Sequence, residues 1–369
     1  MLAQFKVKNF KNFKTEITVD LESIKNYEFN TDCIRNGLVN KALIYGPNGS
    51  GKSNLGLAVF DIVLHLSDKE KTIAKYIPYL NLESGMDYAE FYYKFRFDDH
   101  DVEYKYQKRN YDDLKSEEMF IDGKQILSYD YDKGSGGVLL QGTENLNKTL
   151  PDSKLSFVKY VSKNSVLAEN TENEVFMQFI QFIDGMLLFY SLSDRMYQGF
   201  TLGSESISKG IIESGHLKDF EKFLSESDIE MHLIEKEIDG EKNIYVKYPH
   251  GEASFFKVAS TGTSTLALFY YWYIKMEQTC FVFIDEFDAF YHFELSEKVI
   301  NSLKVLTNTQ IILTTHNTDL MNNDLMRPDC YFEIENGECN SLANRTNKEL
   351  RKAHNLQKMY KAGAFSGKR

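Results

Sequence analysis

The stretch Gly46-Pro47-Asn48-Gly49-Ser50-Gly51-Lys52-Ser53 decides how this chain is read. It satisfies the pattern G-x-x-x-x-G-K-[ST] at every position. At average residue frequencies, a chance match in a chain this long is about a one-in-a-hundred event. The glycines let successive backbone N–H groups converge on phosphate oxygens. The flanks agree: Lys41 to Tyr45 predicts a short apolar strand, and helical periodicity runs from Lys52 to about Leu66. A helix opening directly behind such a loop adds a dipole that favours an anion. Lys52 would then reach the β- and γ-phosphates of a triphosphate, and the Ser53 hydroxyl would ligate Mg²⁺. Asn54, at the start of the helix, is counted with the cradle.

The other half of such a site is an acidic strand end. Phe281-Val282-Phe283-Ile284-Asp285-Glu286 supplies four apolar residues and then two carboxylates. Asp285 would hold Mg²⁺, directly or through water, and Glu286 would polarise a water for in-line attack on the γ-phosphate. Alone the pattern is weak, because many buried strands end in a solvated acid pair. One strand later, Ile311-Ile312-Leu313-Thr314-Thr315-His316 places a histidine beyond a buried strand, within reach of the same phosphate. The bland reading of a lone histidine there is surface decoration.

Working outward, Phe5 and Val7, then Ile17, Val19 and Leu21, alternate as two strands around a basic "NFKNFK" turn. Residues 87–107 read as a hairpin, with Ala89, Phe91, Tyr93, Phe95 and Phe97 on one face and a turn at Asp98 to Asp101. Asp122-Gly123 marks a further turn. From about 108 to 170 the chain is polar, with a flexible Gly134-Ser135-Gly136-Gly137 segment. Helices are expected near Glu172 to Tyr190 and from Leu217, where Leu217, Phe220 and Leu224 share a face. Strands return from about Met231, with turns at Asp239-Gly240 and His250-Gly251. The last third alternates helix (264–276), strand (280–284), helix (294–306) and strand (310–314), the signature of a parallel α/β sheet.

The 369 residues, 42% hydrophobic and 26% charged, exclude wholesale disorder, and 5 prolines with 22 glycines exclude a collagen-like or linker-dominated chain. A net charge of -11 disfavours indiscriminate coating of nucleic acid or anionic lipid. Cys33, Cys280, Cys330 and Cys339 have no metal-site or disulfide-framework spacing. The N-terminus lacks an apolar leader, and the most apolar stretch, Val175 to Leu192, is interrupted by Gln178, Gln181, Asp184 and Gly185. A cytoplasmic protein with no membrane partner is expected, with Val175 to Leu192 as a buried helix.

The order of phosphate loop, late "DE" strand and strand ending in His resembles the head of ABC-type ATPases. Ser260-Thr261-Gly262-Thr263 occupies the place of their signature loop. Its short form is similar to that of the RecF, SMC and OLD-like ATPases, as is the opening Val7-Lys8-Asn9-Phe10-Lys11-Asn12-Phe13-Lys14. Asp288 falls where the D-loop of that family lies, and His292 matches a position often filled by His in the subfamily. The segment Asn355 to Phe365 looks like the tail of compact phage-defence ATPases of the RloA/AbiL-like group. The resemblance covers 1–66 and 255–369. It implies a P-loop NTPase of α/β class, an ABC-ATPase head with a mixed or parallel sheet flanked by helices and an N-terminal antiparallel β lobe. The parts would be an N-terminal lobe at 1–110, an inserted and partly helical region at 111–228, and a C-terminal lobe at 229–369. It further implies ATP and Mg²⁺ as ligands, and Ser260 and Gly262 contacting the γ-phosphate held by a second copy. A homodimer or higher oligomer follows, acting on a separate effector, often a nuclease. No glutamine is placed in a Q-loop. Sustained heptads are missing from the insertion, which argues against a long coiled coil.

Two segments carry a second reading. From Arg345 to Arg369, eight basic residues (345, 348, 351, 352, 358, 361, 368 and 369) face one acid, Glu349. That excess marks either a contact with DNA or an acidic partner, or a helix with a basic solvated face docked through Leu350, Leu356 and Met359. The aromatics of 91–106 could stack bases, but alternating aromatics more often form the buried face of a sheet. The Tyr270-Tyr271-Trp272-Tyr273 cluster is expected to pack against the sheet. Two functions follow: an ATP-gated switch over an effector in phage defence, or a DNA-binding ATPase of DNA repair or maintenance. A transporter subunit would carry a longer signature. A fused nuclease of OLD type would need more than the 53 residues after His316.

Overall fold

The computed structural model describes residues 1–69, 73–191, 196–199, 206–289 and 293–365. Two seven-stranded sheets dominate. The first is antiparallel throughout, in the order Ser135–Val138, Lys124–Asp130, Asp113–Ile121, His100–Asn110, Ala89–Phe97, Leu2–Lys8 and Ile17–Asp20. The period-two pattern read from the hairpin holds: Phe91, Tyr93 and Phe95 are buried while Tyr92, Lys94 and Arg96 are half-buried on the other face. Asp98 takes a left-handed φ of 50° in the tight turn between the strands. The aromatics belong to the core. Phe91 stacks on Tyr106 at 4.8 Å, and Phe95 meets Phe179 and Phe182 edge-on at 5.4 and 5.3 Å.

The second sheet runs Met196–Gly199, Met186–Ser191, Phe281–Ile284, Gln310–Thr315, Lys41–Tyr45, Tyr331–Glu335 and Glu338–Ser341. Its five central strands are parallel, and its two outermost pairs are antiparallel. The central strands read as unbroken apolar runs because helices cover both faces. Helices Thr261–Met276 and Phe293–Val305 fall where the α/β alternation placed them. The Tyr270–Trp272 cluster is buried, with Trp272 edge-on to Phe189 at 5.4 Å.

Four expectations need correction. The helix after the phosphate loop is two, Lys52–Val59 and Asp61–Leu66, broken at Phe60. The helix expected to reach Tyr190 spans Thr171–Asp184 and stops at Gly185. Met186–Ser191 is instead a strand pairing in parallel with Phe281–Ile284. A short apolar run suits either state, and burial between two strands decides it here. The Gly134–Gly137 segment is not a free linker, because Ser135–Val138 pairs with Lys124–Asp130. The antiparallel sheet therefore continues across the 110/111 boundary to Val138, and only from Phe157–Asn164 onward is the expected insertion helical.

The antiparallel sheet meets the two helices behind the phosphate loop through a buried polar network. Asp61, with no exposed surface, accepts hydrogen bonds from Tyr79 (3.0 Å), Tyr106 (2.9 Å) and Lys108 Nζ (2.9 Å), and Lys108 is equally buried. Tyr93 Oη donates to the carbonyls of Ala58 and Val59, the last residues of the first helix. Burial raises the Asp61 carboxyl above its ordinary range and lowers the Lys108 amine, while each opposes the other's shift. Removing one member of such a pair strands the other charge. Lys108→Met is therefore expected to lower unfolding stability by about 3 kcal/mol in a denaturant titration; a loss within about 0.5 kcal/mol would show that the pair is not buried as described.

Candidate functional site

Register assembles the site. Ile284 lies opposite Leu313, and Leu313 opposite Leu43, so the three central strands end together at one edge of the sheet. The 46–53 loop follows Tyr45, the acid pair follows Ile284, and His316 follows Thr315. In open parallel sheets ligands bind in the crevice beyond the strands' carboxyl ends.

The loop has the shape of an anion cradle. Gly51 sits at φ 105°, a conformation L side chains rarely adopt, and a Cβ there would lie 2.5 Å from the Asn12 amide. A Cβ on Gly46 would lie 2.4 Å from Ser50 Oγ and 2.6 Å from Ile334. Ser50 Oγ is buried without a hydrogen-bond partner among the described residues. Lys52, 5% exposed, folds back to donate to the carbonyls of Gly46 (2.7 Å) and Pro47 (3.2 Å). Its burial lowers the amine's pKa, and the carboxylates of Asp285, Glu286 and Asp288 pull the other way. Pro47, Asn48 and Gly49 are exposed, as is Ser53. Asn54 donates to Asn12 Oδ1 at 2.7 Å, tying the basic opening turn to the helix.

Across the cradle, Ser53 lies close enough to Asp285 to favour its ionised carboxylate, which accepts from Thr314 Oγ1 at 2.6 Å. Burial raises the Asp285 carboxyl, while Ser53 and Thr314 hold it down. Glu286 is half-buried at φ 47°, and its N–H donates to Thr314 Oγ1 at 2.8 Å. The residues that sequence reading assigned to phosphate and metal are thus joined in space, from Lys52 and Ser53 to Asp285 and Glu286. A buried hydroxyl without a partner, a glycine-lined loop and a Ser–Asp oxygen pair suit a triphosphate and a hard divalent cation.

The remaining candidates divide. His316 is exposed beyond the strand and lies close enough to Asp288 for its charge to act on that carboxyl. Asp288 turns inward rather than outward: it is 7% exposed and held by Thr315 Oγ1 at 2.7 Å. Ser260 is exposed at the N-cap of Thr261–Met276, where its hydroxyl accepts from the Thr263 N–H, and Gly262 lies in the first turn. His292 lies outside the described residues, as do Lys368 and Arg369. Sequence reading missed Thr314 and Asn12 as partners within the site. The signal for Thr314 was available: a hydroxyl ending an otherwise apolar strand needs a partner. It also missed the strand Met186–Ser191, whose Phe189 carbonyl accepts from the Asp285 N–H at 3.0 Å.

A glycine-lined phosphate cradle at the head of a parallel sheet, faced by an acid pair, defines a P-loop ATPase domain of mixed α/β fold. The family model described as "AAA domain, putative AbiEii toxin, Type IV TA system" matches residues 41–322, well over half of the chain, and the chain belongs to that family. No curated protein matches it in sequence. Among solved structures it is similar to the SMC head domain from Thermotoga maritima, with 14% identity, 92% of this chain and 97% of that chain covered, and a TM-score of 0.43. It is also similar to a Smc head domain with an extended coiled coil, bound to the C-terminal domain of ScpA and derived from Pyrococcus furiosus, with 14% identity, 93% and 97% covered, and a TM-score of 0.46. Scores below 0.5 leave the family model as the finding that places the chain.

Gly51→Ala is expected to weaken binding of a fluorescent ATP analogue by tenfold or more, because the methyl group collides with Asn12 in a left-handed turn. Unchanged affinity by titration would mean that the loop does not cradle phosphate.

Proposed function

We propose that the protein binds and hydrolyses ATP, dimerises on ATP and acts as a switch over a separate effector, a nuclease being the effector its resemblance suggests, in cytoplasmic anti-phage defence. The observation that carries the ATPase reading is the proximity of Lys52, Ser53, Asp285 and Glu286 at one sheet edge. Lys52 and the loop amides hold the β- and γ-phosphates. Ser53 and Asp285 would hold Mg²⁺, whose charge would offset that developing on the phosphate oxygens. Glu286 accepts the proton of the attacking water as the bridging bond to the γ-phosphorus breaks. His316 donates to the γ-phosphate, and Ser260 with Gly262 of a second copy cover it. Asp288 steadies the turn between the acid pair and His316. Closure around two nucleotides repositions residues 67–250, the surface offered to the effector.

The alternative, a DNA-binding ATPase of repair or maintenance, leans on the basic tail. Among its described basic residues, four are paired: Arg345 with Glu333 and Glu335, Arg351 with Glu349, Lys352 with Asp324 and Lys361 with Asp319. Leu350, Leu356 and Phe365 are buried beneath them. That supports a docked strap over a nucleic-acid arm.

Glu286→Gln is expected to lower kcat for ATP hydrolysis by roughly 10²–10⁴-fold while ATP-dependent dimers persist in light scattering. Hydrolysis at the wild-type rate would remove Glu286 from its role. DNA-stimulated hydrolysis by the isolated protein would favour the alternative.

A further inference from the structure

The Asp285–Glu286 step is an awkward piece of backbone. Asp285 still belongs to the sheet, its N–H bonded to Phe189 O, whereas the next residue turns to φ 47°. Glutamate has no intrinsic preference for that left-handed region, so its surroundings must hold it there. Among the described residues, Thr314 binds both sides of this step. Thr314, on the neighbouring strand and with no exposed surface, donates through Oγ1 to Asp285 Oδ1 at 2.6 Å. The same oxygen accepts the Glu286 N–H at 2.8 Å, and the Thr314 carbonyl accepts the Phe287 N–H at 3.2 Å. A hydroxyl has a single proton, and here it is committed to the carboxylate, because the amide can only donate.

We propose that Thr314 is a positioning residue for the acidic pair: its one buried hydroxyl aims the Asp285 carboxylate and locks the turn that presents Glu286. The inference rests on the ATPase reading above. Valine would fill the same volume, yet it would leave the half-buried Glu286 N–H without its Thr314 partner and free Asp285 to rotate. The adjacent Thr315 supplies a built-in comparison. It is equally buried, and its hydroxyl serves Asp288 and the Asn317 N–H instead of the acid pair.

The groups facing Asp285 are Ser53, Thr314, Lys52 and Glu286. Losing the Thr314 hydroxyl removes the bond that fixes the orientation of the Asp285 carboxylate. For Thr314→Val, kcat for Mg-ATP is expected to fall ten- to hundredfold with KM changed less than about twofold. More Mg²⁺ should also be needed to saturate binding of a non-hydrolysable ATP analogue. Thr314→Ser, which keeps the hydroxyl, should restore most of kcat, and Thr315→Val should leave the Mg²⁺ requirement in place. The proposal is overturned if Thr314→Val keeps wild-type kcat and Mg²⁺ dependence, if serine rescues no better than valine, or if both valine variants raise the Mg²⁺ requirement alike. Wild-type protein that binds the analogue but does not hydrolyse ATP itself would overturn the hydrolytic reading instead. The Mg²⁺ requirement for analogue binding still decides the role of Thr314, because that measurement needs no hydrolysis. A requirement in Thr314→Val equal to that of wild type sinks the proposal.

Discussion

Everything at the functional edge depends on the in-register pairing of Lys41–Tyr45, Gln310–Thr315 and Phe281–Ile284. A one-residue slip would turn each side chain to the opposite face of the sheet and move Asp285 away from Thr314. The middle strand is pinned at its other end by Gln310, whose amide bridges Leu2 and Val39 through three hydrogen bonds of 2.8 to 2.9 Å. Lys41, buried beside it, donates to Leu306 O and Thr309 O. Polar side chains at the base of the sheet therefore hold the register that the phosphate edge uses.

A second constraint ties the phosphate helix to the antiparallel lobe. Aromatic rings supply the apolar area, but their hydroxyls also carry polar work: Tyr104 bonds His65 at 2.9 Å and Glu117 at 2.5 Å, and Ser156 and the Phe157 N–H reach the same carboxylate. Glu117, fully buried, thereby joins the second short helix to the N-terminus of Phe157–Asn164. The sheet is thus both a hydrophobic cover and a set of anchored donors.

Much of this was legible in the chain itself, for identifiable reasons. Loop, acid pair and histidine are local motifs whose spacing reflects strand ends, and the aromatic alternation of 89–106 declares its buried face. The errors came where tertiary context outweighs local pattern. Met186–Ser191 is apolar enough for a helix, and only pairing beside Phe281–Ile284 makes it a strand. Gly136 and Gly137 look like linker residues, yet a Cβ on Gly136 would meet Ser128 O at 2.3 Å, so the close strand demands glycine. Asp61 and Lys108 lie 47 residues apart, and nothing in either neighbourhood announces a buried pair. The basic tail left two readings open in the same way, since the counter-charges of Arg345, Lys352 and Lys361 come from residues 319–335.

The break at Phe60 has a thermodynamic consequence. A helix of eight residues is too short to persist by its own hydrogen bonds. Its last carbonyls are held by Tyr93, and its successor is held by Tyr79, Tyr106 and Lys108 through Asp61. The phosphate loop is consequently ordered no more firmly than the antiparallel lobe behind it, so amide-exchange protection should fade in both together as one cooperative unit.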